Sequence, residues 1–315
     1  MTLNQYVSAW WQLSRVPFLS VGILPLILGF VLAWRRGYSG PPGLYLLSFI
    51  TVVLILWMTY YLGEWNDLGG DEINQRFNRF SGGSRVLVNG LLPARVSLFL
   101  GYGCLSAAIL VGLFLYLRYK TGPWTLPLGG IGILSGFFYS NKPFRWSYRG
   151  VGEILIGFCY GWLPIATGFY LFTGFFHHEI LPLSIPVGLS VFNVILINEF
   201  PDEEADRMIR KRTLVVRFGK ERIADVYLGL SIVLGLFFIR VVLLFGRPSS
   251  WIFVLSGIPI LLILWNMVRV WRGDYKDSRA LELLCRNTLF VNLSMTMILT
   301  IQQTLISSAY QTITG

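Results

Sequence analysis

Six carboxylates, arranged in two copies of one pattern, are the residues best suited to carry chemistry. The pattern Glu-x-x-Asp-x-x-x-Asp supplies Glu64, Asp67 and Asp71 in its first copy and Glu199, Asp202 and Asp206 in its second. Because residues three and four apart share a helix face, each copy is predicted to align its carboxylates along one side of a helix end. Mg²⁺ prefers oxygen ligands and commonly binds through carboxylates together with substrate phosphates. All six carboxylates are therefore candidate ligands of about two Mg²⁺ ions that bridge a diphosphate.

Basic residues near both copies are candidate ligands of the remaining phosphate oxygens. They follow the first copy, the fourth apolar segment and the second copy, and comprise Arg76, Arg79, Arg85, Lys142, Arg145, Lys211 and Arg212. Metal ions and arginines together stabilise the charge of a departing diphosphate. A solvated loop position is an equally good interpretation for most of these residues.

Each acidic copy ends an apolar segment long enough to cross a bilayer. The chain has 315 residues, of which 54% are hydrophobic and 13% charged, a composition typical of a polytopic membrane protein. Apolar runs of about 17–25 residues predict spanning helices. We expect nine, at residues 18–34, 43–61, 96–117, 125–139, 151–173, 181–197, 223–245, 251–271 and 287–309. Residues 1–11 are predicted to form an interfacial amphipathic segment, and no cleaved signal peptide is expected.

The predicted fold is all-α, with about nine transmembrane helices around a central cavity and residues 1–315 in a single domain. The second acidic copy follows the first by four helices, which suggests two four-helix repeats and one additional helix. A binding site at the interface of such repeats is a common arrangement in membrane proteins.

The distribution of positive charge predicts the topology. Of the 26 Lys and Arg residues, 20 fall on one side of the membrane and Arg240 lies within a span. The opposite loops contain Arg35, Arg36, Arg118, Lys120 and Arg247. The positive-inside rule then places both acidic copies in the cytoplasm. The basic residues form no domain separate from the membrane segments, so we expect no nucleic-acid partner, and the three cysteines and two adjacent histidines have no ligand-like spacing.

Three segments resemble the UbiA-type intramembrane prenyltransferases. Residues 198–219 resemble the second acidic motif of that family, and residues 139–153 resemble the loop after its fourth helix. Residues 71–87 resemble the sequence after its first motif, especially in members related to menaquinone-pathway enzymes. The chain departs from the family at Gly63-Glu64, where Asn-Asp is usual, and at Arg210, where Gly is usual. The Asn amide is lost at this position unless Asn66 supplies it from a shifted position.

The resemblance implies that the six carboxylates hold two Mg²⁺ ions on a polyprenyl diphosphate. Ionisation of this donor leaves an allylic carbocation, which an aromatic acceptor attacks through a ring carbon. Asp67, Asp71, Asp202 and Asp206 are the candidate catalytic aspartates. Tyr139 is the candidate aromatic partner of the cation, and Ser140, Asn66 and Asn198 are further candidate substrate contacts.

The acceptor favoured by the resemblance is 1,4-dihydroxy-2-naphthoate, in menaquinone biosynthesis at the cell (inner) membrane. The polyprenyl tail is expected to lie between helices and open to membrane lipid. Transfer to 4-hydroxybenzoate or haem, and terpene cyclisation, are alternatives that use the same donor chemistry. A membrane transporter is a more distant alternative, because transporters typically bury acidic residues near the membrane midplane.

Overall fold

The computed structural model describes the backbone of residues 2–245 and 250–314 and the side chains of residues 2–245 and 251–306. Its α-helices are α1 Leu3–Leu13, α2 Val16–Arg35, α3 Pro42–Ile73, α4 Ala94–Tyr119, α5 Thr125–Ser140, α6 Gly152–Tyr160, α7 Trp162–Thr173, α8 Ile180–Asn198, α9 Glu203–Met208, α10 Leu214–Phe218, α11 Lys220–Leu244, α12 Ser250–Trp271 and α13 Ser278–Thr314. In a bilayer, a spanning α-helix satisfies the backbone hydrogen bonds of its own residues. Arg247 lies outside the described residues.

The described residues contain eight helical segments long and apolar enough to cross a membrane, and α5 is a shorter apolar helix. This confirms the all-α membrane fold with about nine spanning elements. The first segment runs over both α1 and α2, which are separate helices because Arg15 between them has a left-handed backbone (φ 45°). The predicted fifth span is two helices, because the backbone of Gly161 interrupts it between α6 and α7.

Helix α2 links distant parts of the chain within the bundle. It packs along α7, from the middle of the chain, and along α13, the last helix. Its crossing with α7 depends on glycine: a Cβ atom at Gly29 would lie 2.3 Å from the carbonyl oxygen of Ile165. Leu28 and Leu32 of α2 pack there with Phe169 of α7 in the largest apolar cluster of the described residues.

Helix α13 is fixed against its neighbours by buried polar side chains. Its Thr288 hydroxyl pairs with the Tyr227 hydroxyl of α11 at 2.8 Å, and Asn266 of α12 donates to both. Asn292, one turn further on, donates to Ser190 of α8 at 2.8 Å. Such interhelical hydrogen bonds set helix register in an apolar environment, where hydrophobic packing distinguishes poorly between registers.

Helix α3 carries the first acidic copy to the edge of the bundle. It packs along α4 and α5 and continues twelve residues beyond the predicted end of its span, to Ile73. Its last turns therefore extend past the apolar segment and meet α9, which carries Asp206 of the second copy.

Candidate active site

The two acidic copies meet at Lys211. Its Nζ atom lies 3.9 Å from Oδ2 of Asp67 and 3.4 Å from Oδ1 of Asp206. Asp71 and Asp202 line the same cavity. One lysine therefore bridges aspartates that are 139 positions apart in the chain, and the structure brings together all four aspartates predicted to be catalytic.

The second copy differs locally from the single helical row that its spacing predicts. Helix α8 ends at Asn198, residues 199–202 form a turn, and α9 begins at Glu203. Pro201 lies in this turn and has no N–H group to continue the α8 hydrogen bonds. Asp202 and Asp206 still face the cavity because the turn keeps them one helical turn apart, with the Asp206 amide donating to the Asp202 carbonyl at 2.8 Å.

Glu64 lines the same cavity but makes structural contacts through both of its oxygens, and its role as a metal ligand stays a prediction. Its Oε1 atom accepts hydrogen bonds from Nε of Arg15 at 2.9 Å and from the Ser84 amide at 2.8 Å, and Nη2 of Arg15 lies 2.8 Å away. Its Oε2 atom accepts from the Ser84 hydroxyl at 2.7 Å. The side chain is buried, so both oxygens are occupied within the fold. Glu64 thus joins the start of α2 to the loop after α3.

Glu199 lines the cavity but is paired with Glu153, a residue that sequence reasoning did not select. Burial, followed by the nearby Glu153 carboxyl, raises the pKa of Glu199 well above its usual range. Glu153 accepts a hydrogen bond from the Leu214 amide at 2.8 Å. Each carboxyl keeps one buried oxygen without a partner among the described residues. Glu199 therefore lies beside a second buried carboxyl as well as beside the cavity, and its role as a metal ligand stays a prediction.

Asp202 and Asp206, which lie outside the spanning helices, are in an environment that disfavours their charged forms. Burial and the neighbouring Asp206 raise the pKa of Asp202 to about 7, although Lys211, the Gly82 amide and the Asn74 side chain oppose this. Burial also raises the pKa of Asp206. Burial alone would lower the pKa of Lys211, but Asp67, Asp206 and Asp202 raise it well above its usual range. Lys211 therefore stays charged and neutralises only part of the cluster.

These residues fit a divalent cation. Aspartates of both copies line one partly buried cavity, and their mutual repulsion is what a hard cation relieves. The backbone of Gly83 (φ 69°) crosses directly over Asp71, where a Cβ atom would lie 2.1 Å from Oδ2. The loop therefore approaches the carboxylate as closely as only glycine permits.

Two predicted arginines border the site and support its loops. Arg85 donates to the backbone carbonyl of Asp71, and its guanidinium lies 4.2 Å from the centre of the Phe77 ring. Arg145 donates to the Ser140 carbonyl at 3.2 Å and stacks on Tyr148. The Tyr148 hydroxyl in turn donates to Asp67 at 3.2 Å. Burial and the Asp67 carboxylate raise the pKa of Tyr148 to about 12, so its hydroxyl remains a donor.

Most of the other predicted polar ligands do not line the cavity. Arg76 pairs with Glu204 and Arg79 pairs with Glu282 at the surface. Lys142 and Arg212 are also exposed. Asn66 donates to the Leu62 carbonyl and to Asn141 at the end of α5, and so fixes α3 against α5. Of the predicted polar ligands, those that line the cavity are Ser140, Asn198 and Lys211.

An apolar cavity of about 610 Å³ extends from the aspartates into the bundle. Tyr139, Tyr60 and Tyr160 line it near the acidic groups, and Leu128, Leu163 and Leu171 line it at depth. Tyr160 donates to the Tyr60 hydroxyl at 3.3 Å, and Tyr60 donates to the Phe18 carbonyl at 3.2 Å. These two hydroxyls fix the rings of both tyrosines. Exposed apolar side chains of α4 and α5 also line it: Ile109, Leu113 and Leu126.

Comparison with known proteins identifies the family of this chain. Residues 22–293 match the sequence model of the UbiA prenyltransferase family. The chain belongs to this family. It is 28% identical over 268 residues to a 1,4-dihydroxy-2-naphthoate octaprenyltransferase of Escherichia coli, covering 81% of this chain and 82% of that protein. It is 24% identical over 254 residues to a 1,4-dihydroxy-2-naphthoate octaprenyltransferase of Bacillus subtilis, covering 78% and 76%.

The fold is also that of a UbiA homolog from Archaeoglobus fulgidus whose structure contains GPP and Mg²⁺. The TM-score is 0.62 at 14% identity, and the alignment covers 92% of this chain and 99% of that one. The family resemblance predicted from three sequence motifs is thus confirmed by the family match and by the fold.

The structure explains what the two departures from the UbiA pattern change. Arg210, where the family usually has Gly, adopts a left-handed backbone (φ 59°) that glycine adopts without steric cost. At Gly63, where the family usually has Asn, an added Cβ would have only the Ser140 hydroxyl nearby, at 3.7 Å. Asn66 is turned towards Asn141 and does not replace the missing amide.

Proposed function

We propose that this protein transfers a polyprenyl group from an isoprenoid diphosphate to a ring carbon of 1,4-dihydroxy-2-naphthoate, in menaquinone biosynthesis. One observation carries the proposal: four aspartates from two copies of a motif meet at the end of an apolar cavity within a membrane bundle. The arrangement suits a substrate with a charged head and a long apolar tail. The names of the Escherichia coli and Bacillus subtilis relatives support this acceptor.

The diphosphate is proposed to bind at the aspartates with about two Mg²⁺ ions. Asp67 and Asp71 would hold the metal from α3, and Asp202 and Asp206 from the second copy. When bound, Mg²⁺ supplies Lewis-acid neutralisation of the diphosphate charge. Lys211 adds a fixed positive charge between the two copies, and the Asn198 side chain, whose buried Oδ1 atom has no partner among the described residues, faces the same cavity.

The loop after α3 is proposed to cover the diphosphate. Gly82 and Gly83 line the cavity beside Asp71, and Arg85 ties the loop to the Asp71 backbone. A cover formed by glycine backbone leaves room for phosphate oxygens and presents N–H groups to them. Arg145 supports the opposite wall through Tyr148.

The carbocation is proposed to form beside the three tyrosine rings. The C–O bond to the allylic carbon breaks, and its electron pair leaves with the diphosphate. The faces of Tyr139, Tyr60 and Tyr160 stabilise the positive charge, and the apolar walls exclude water that would otherwise capture it. The acceptor ring carbon then forms the new C–C bond, and the ring regains aromaticity by losing the group that this carbon carried: a proton from a C–H position, or carbon dioxide from the carboxylate-bearing position.

The tail is proposed to lie in the apolar part of the cavity and to reach lipid between α4 and α5, where exposed apolar side chains line the wall. The whole chain, residues 1–315, would act as one catalytic domain in the cell (inner) membrane. Both acidic copies would face the cytoplasm, as the charge distribution predicts. This geometry lets a lipid donor and a water-soluble acceptor meet at one membrane surface.

Purified protein in lipid vesicles tests the proposal. Labelled polyprenyl diphosphate and Mg²⁺ would be supplied with 1,4-dihydroxy-2-naphthoate, 4-hydroxybenzoate or haem in separate reactions. We expect prenylated naphthoate product, and none in excess chelator. Preferential prenylation of another acceptor would refute the acceptor assignment, and a cyclised hydrocarbon formed without acceptor would refute the transfer itself. Asp202→Asn is the inactive control, and Glu204→Gln, which alters an exposed carboxylate in the same motif, is the matched active control.

A further inference from the structure

Helix α1 presents three chemically different faces. At about 100° per residue, positions four apart share a face. Leu3, Val7 and Trp11 form an apolar row with 77%, 59% and 57% of their surfaces exposed. A polar row, displaced by one residue, consists of Asn4, Ser8 and Gln12; all three are exposed, and Gln12 donates to the Ser8 hydroxyl at 2.9 Å.

The third face of α1 packs against the protein. Ala9 and Leu13 are completely buried, and they contact Tyr61 of α3 together with Val86 and Leu87 from the loop after α3. The helix begins with a capping box in which Thr2 and Gln5 satisfy one another's backbone groups. Helix α1 is therefore a defined element with one face on the loop, one polar face and one unpartnered apolar face.

The position of α1 at the membrane edge follows from its connection to α2. Only Ser14 and Arg15 separate α1 from a spanning helix. The Ser14 hydroxyl lies 2.8 Å from the Tyr61 hydroxyl, which holds the turn against α3. No residue of α1 is charged, so attraction to anionic headgroups does not contribute, whereas Trp and Leu favour the boundary between headgroups and acyl chains.

A continuous set of contacts links this helix to the candidate active site. Arg15, immediately after α1, pairs with Glu64, and Glu64 accepts hydrogen bonds from both the amide and the hydroxyl of Ser84. Ser84 follows Gly83, whose backbone crosses over Asp71. Ala9 and Leu13 pack with Val86 and Leu87 of the same loop in one apolar cluster. The loop is thus held both by α1 and by Glu64.

We infer that α1 lies in the lipid–water boundary of the bilayer, with the Leu3, Val7 and Trp11 row in lipid and the Asn4, Ser8 and Gln12 row in water, and that this seating holds the 80–87 loop over Asp71. Uncharged lipid is the occupant of the apolar row, because the row is contiguous with a spanning helix and carries no charge. The description of the loop as a cover for diphosphate rests on the proposed function; the seating of α1 does not.

Spin labelling of the full chain tests the seating of α1. Single cysteines at Val7→Cys and Ser8→Cys, in a chain whose Cys104, Cys159 and Cys285 are replaced by alanine, would carry nitroxides in phosphatidylcholine vesicles. We expect position 7 to collide more with oxygen than with a water-soluble nickel chelate, and position 8 to show the reverse. Chelate access at both positions would overturn the inference. Spin–spin broadening at position 7 that disappears on dilution with unlabelled protein would show that a second copy covers the row, which would overturn it as well.

The coupling to the loop is tested with native cysteines and no substrate, by hydrogen exchange. Val7→Glu places a charge in the apolar row, and Ser8→Glu places the same charge in the polar row as its matched control. We expect the Ser84 amide to exchange at least about tenfold faster in Val7→Glu than in Ser8→Glu, since loosening α1 frees the loop. Equal exchange in the two variants would overturn the coupling. Because no substrate is present, failure of the transferase assay would leave both measurements valid.

Discussion

The substitution Glu64→Gln separates a structural role for this carboxylate from a role in metal binding. The two charged partners differ in burial, with 3% of the Glu64 side chain exposed and 29% of the Arg15 side chain exposed. The substituted amide side chain would keep one acceptor oxygen but would place an N–H₂ group against the donors of Arg15 or Ser84.

The burial of the two partners determines how much the free energy of unfolding should fall in Glu64→Gln. Removing one member of a fully buried ion pair costs about 3–5 kcal/mol, because the other charge is left unpaired. Solvent reaches part of Arg15, so we expect Glu64→Gln to lower the free energy of unfolding by about 2–3 kcal/mol. Ser84→Ala removes only a neutral donor and should cost about 1–2 kcal/mol. The double variant should lose less than the sum of the two, because both changes break the same contact.

Two measurements on each variant complete this test. Unfolding in mixed micelles with increasing SDS gives the stability, and titration with Mn²⁺ gives the affinity for a divalent ion. Glu64→Gln should change the Mn²⁺ affinity less than about tenfold, since the lost charge is already paired with Arg15 and is screened by solvent ions. Asp67→Asn should weaken it by at least about a hundredfold, because even outer-shell partners of a metal are worth 10–100-fold. A Glu64→Gln protein of normal stability that has lost Mn²⁺ binding would refute the assignment of Glu64 to the fold.

Substitutions at the second acidic copy, at Lys211 and at Arg210 have defined outcomes. Asp202→Asn and Asp206→Asn should each reduce turnover by at least about a hundredfold with normal protein yield, while Glu204→Gln retains activity; loss of folded protein with normal specific activity would contradict this. Lys211→Met should raise the KM for the diphosphate donor about ten- to a hundredfold and leave the KM for the acceptor unchanged, because a charge-assisted hydrogen bond to phosphate is lost; equal effects on both substrates at fixed ionic strength would count against it. Arg210→Gly should be neutral or stabilise the protein by up to about 1 kcal/mol, whereas Arg210→Val should destabilise it, because a β-branched residue fits a positive φ poorly; the reverse order in SDS unfolding would argue against the left-handed backbone.

The fold was predictable from the sequence because each spanning helix is determined by the composition of its own segment. Apolar length alone defines spanning helices in a membrane protein, and the described helices follow the predicted spans closely. Breaks within a span were not predictable in the same way. Gly161 divides α6 from α7, yet glycine is common within spanning helices and does not by itself indicate a break.

The site was predicted in part, and the differences have a physical origin in long-range contacts. Repeated spacing identified the four aspartates, but spacing treats Glu64 and Glu199 as equivalent to them. What distinguishes these glutamates is a partner far along the chain: Arg15 for Glu64 and Glu153 for Glu199. Both partners have a recognisable feature in hindsight, since each is a lone charge at the start of an apolar segment.

The sequence was a poorer guide to the basic residues of the site than to the acidic ones. Positive charge near an acidic motif made five residues candidate ligands, namely Arg76, Arg79, Lys142, Arg212 and Lys211. Of these five, Lys211 lines the cavity in the structure. Exposure of a loop side chain depends on how the loop folds, and composition carries no information about that. The roles of these four residues in binding remain a prediction of the sequence.

Electron paramagnetic resonance of bound Mn²⁺ in the presence of inorganic diphosphate tests whether the two acidic copies form one site, because it detects metal and phosphorus together without any requirement for turnover. We expect about two Mn²⁺ ions per chain with resolved coupling to ³¹P, and the loss of that coupling in Asp67→Asn and in Asp206→Asn, which alter one copy of the motif each. Mn²⁺ binding without ³¹P coupling, or coupling that survives both substitutions, would contradict the claim that the two acidic copies form a single metal–diphosphate site.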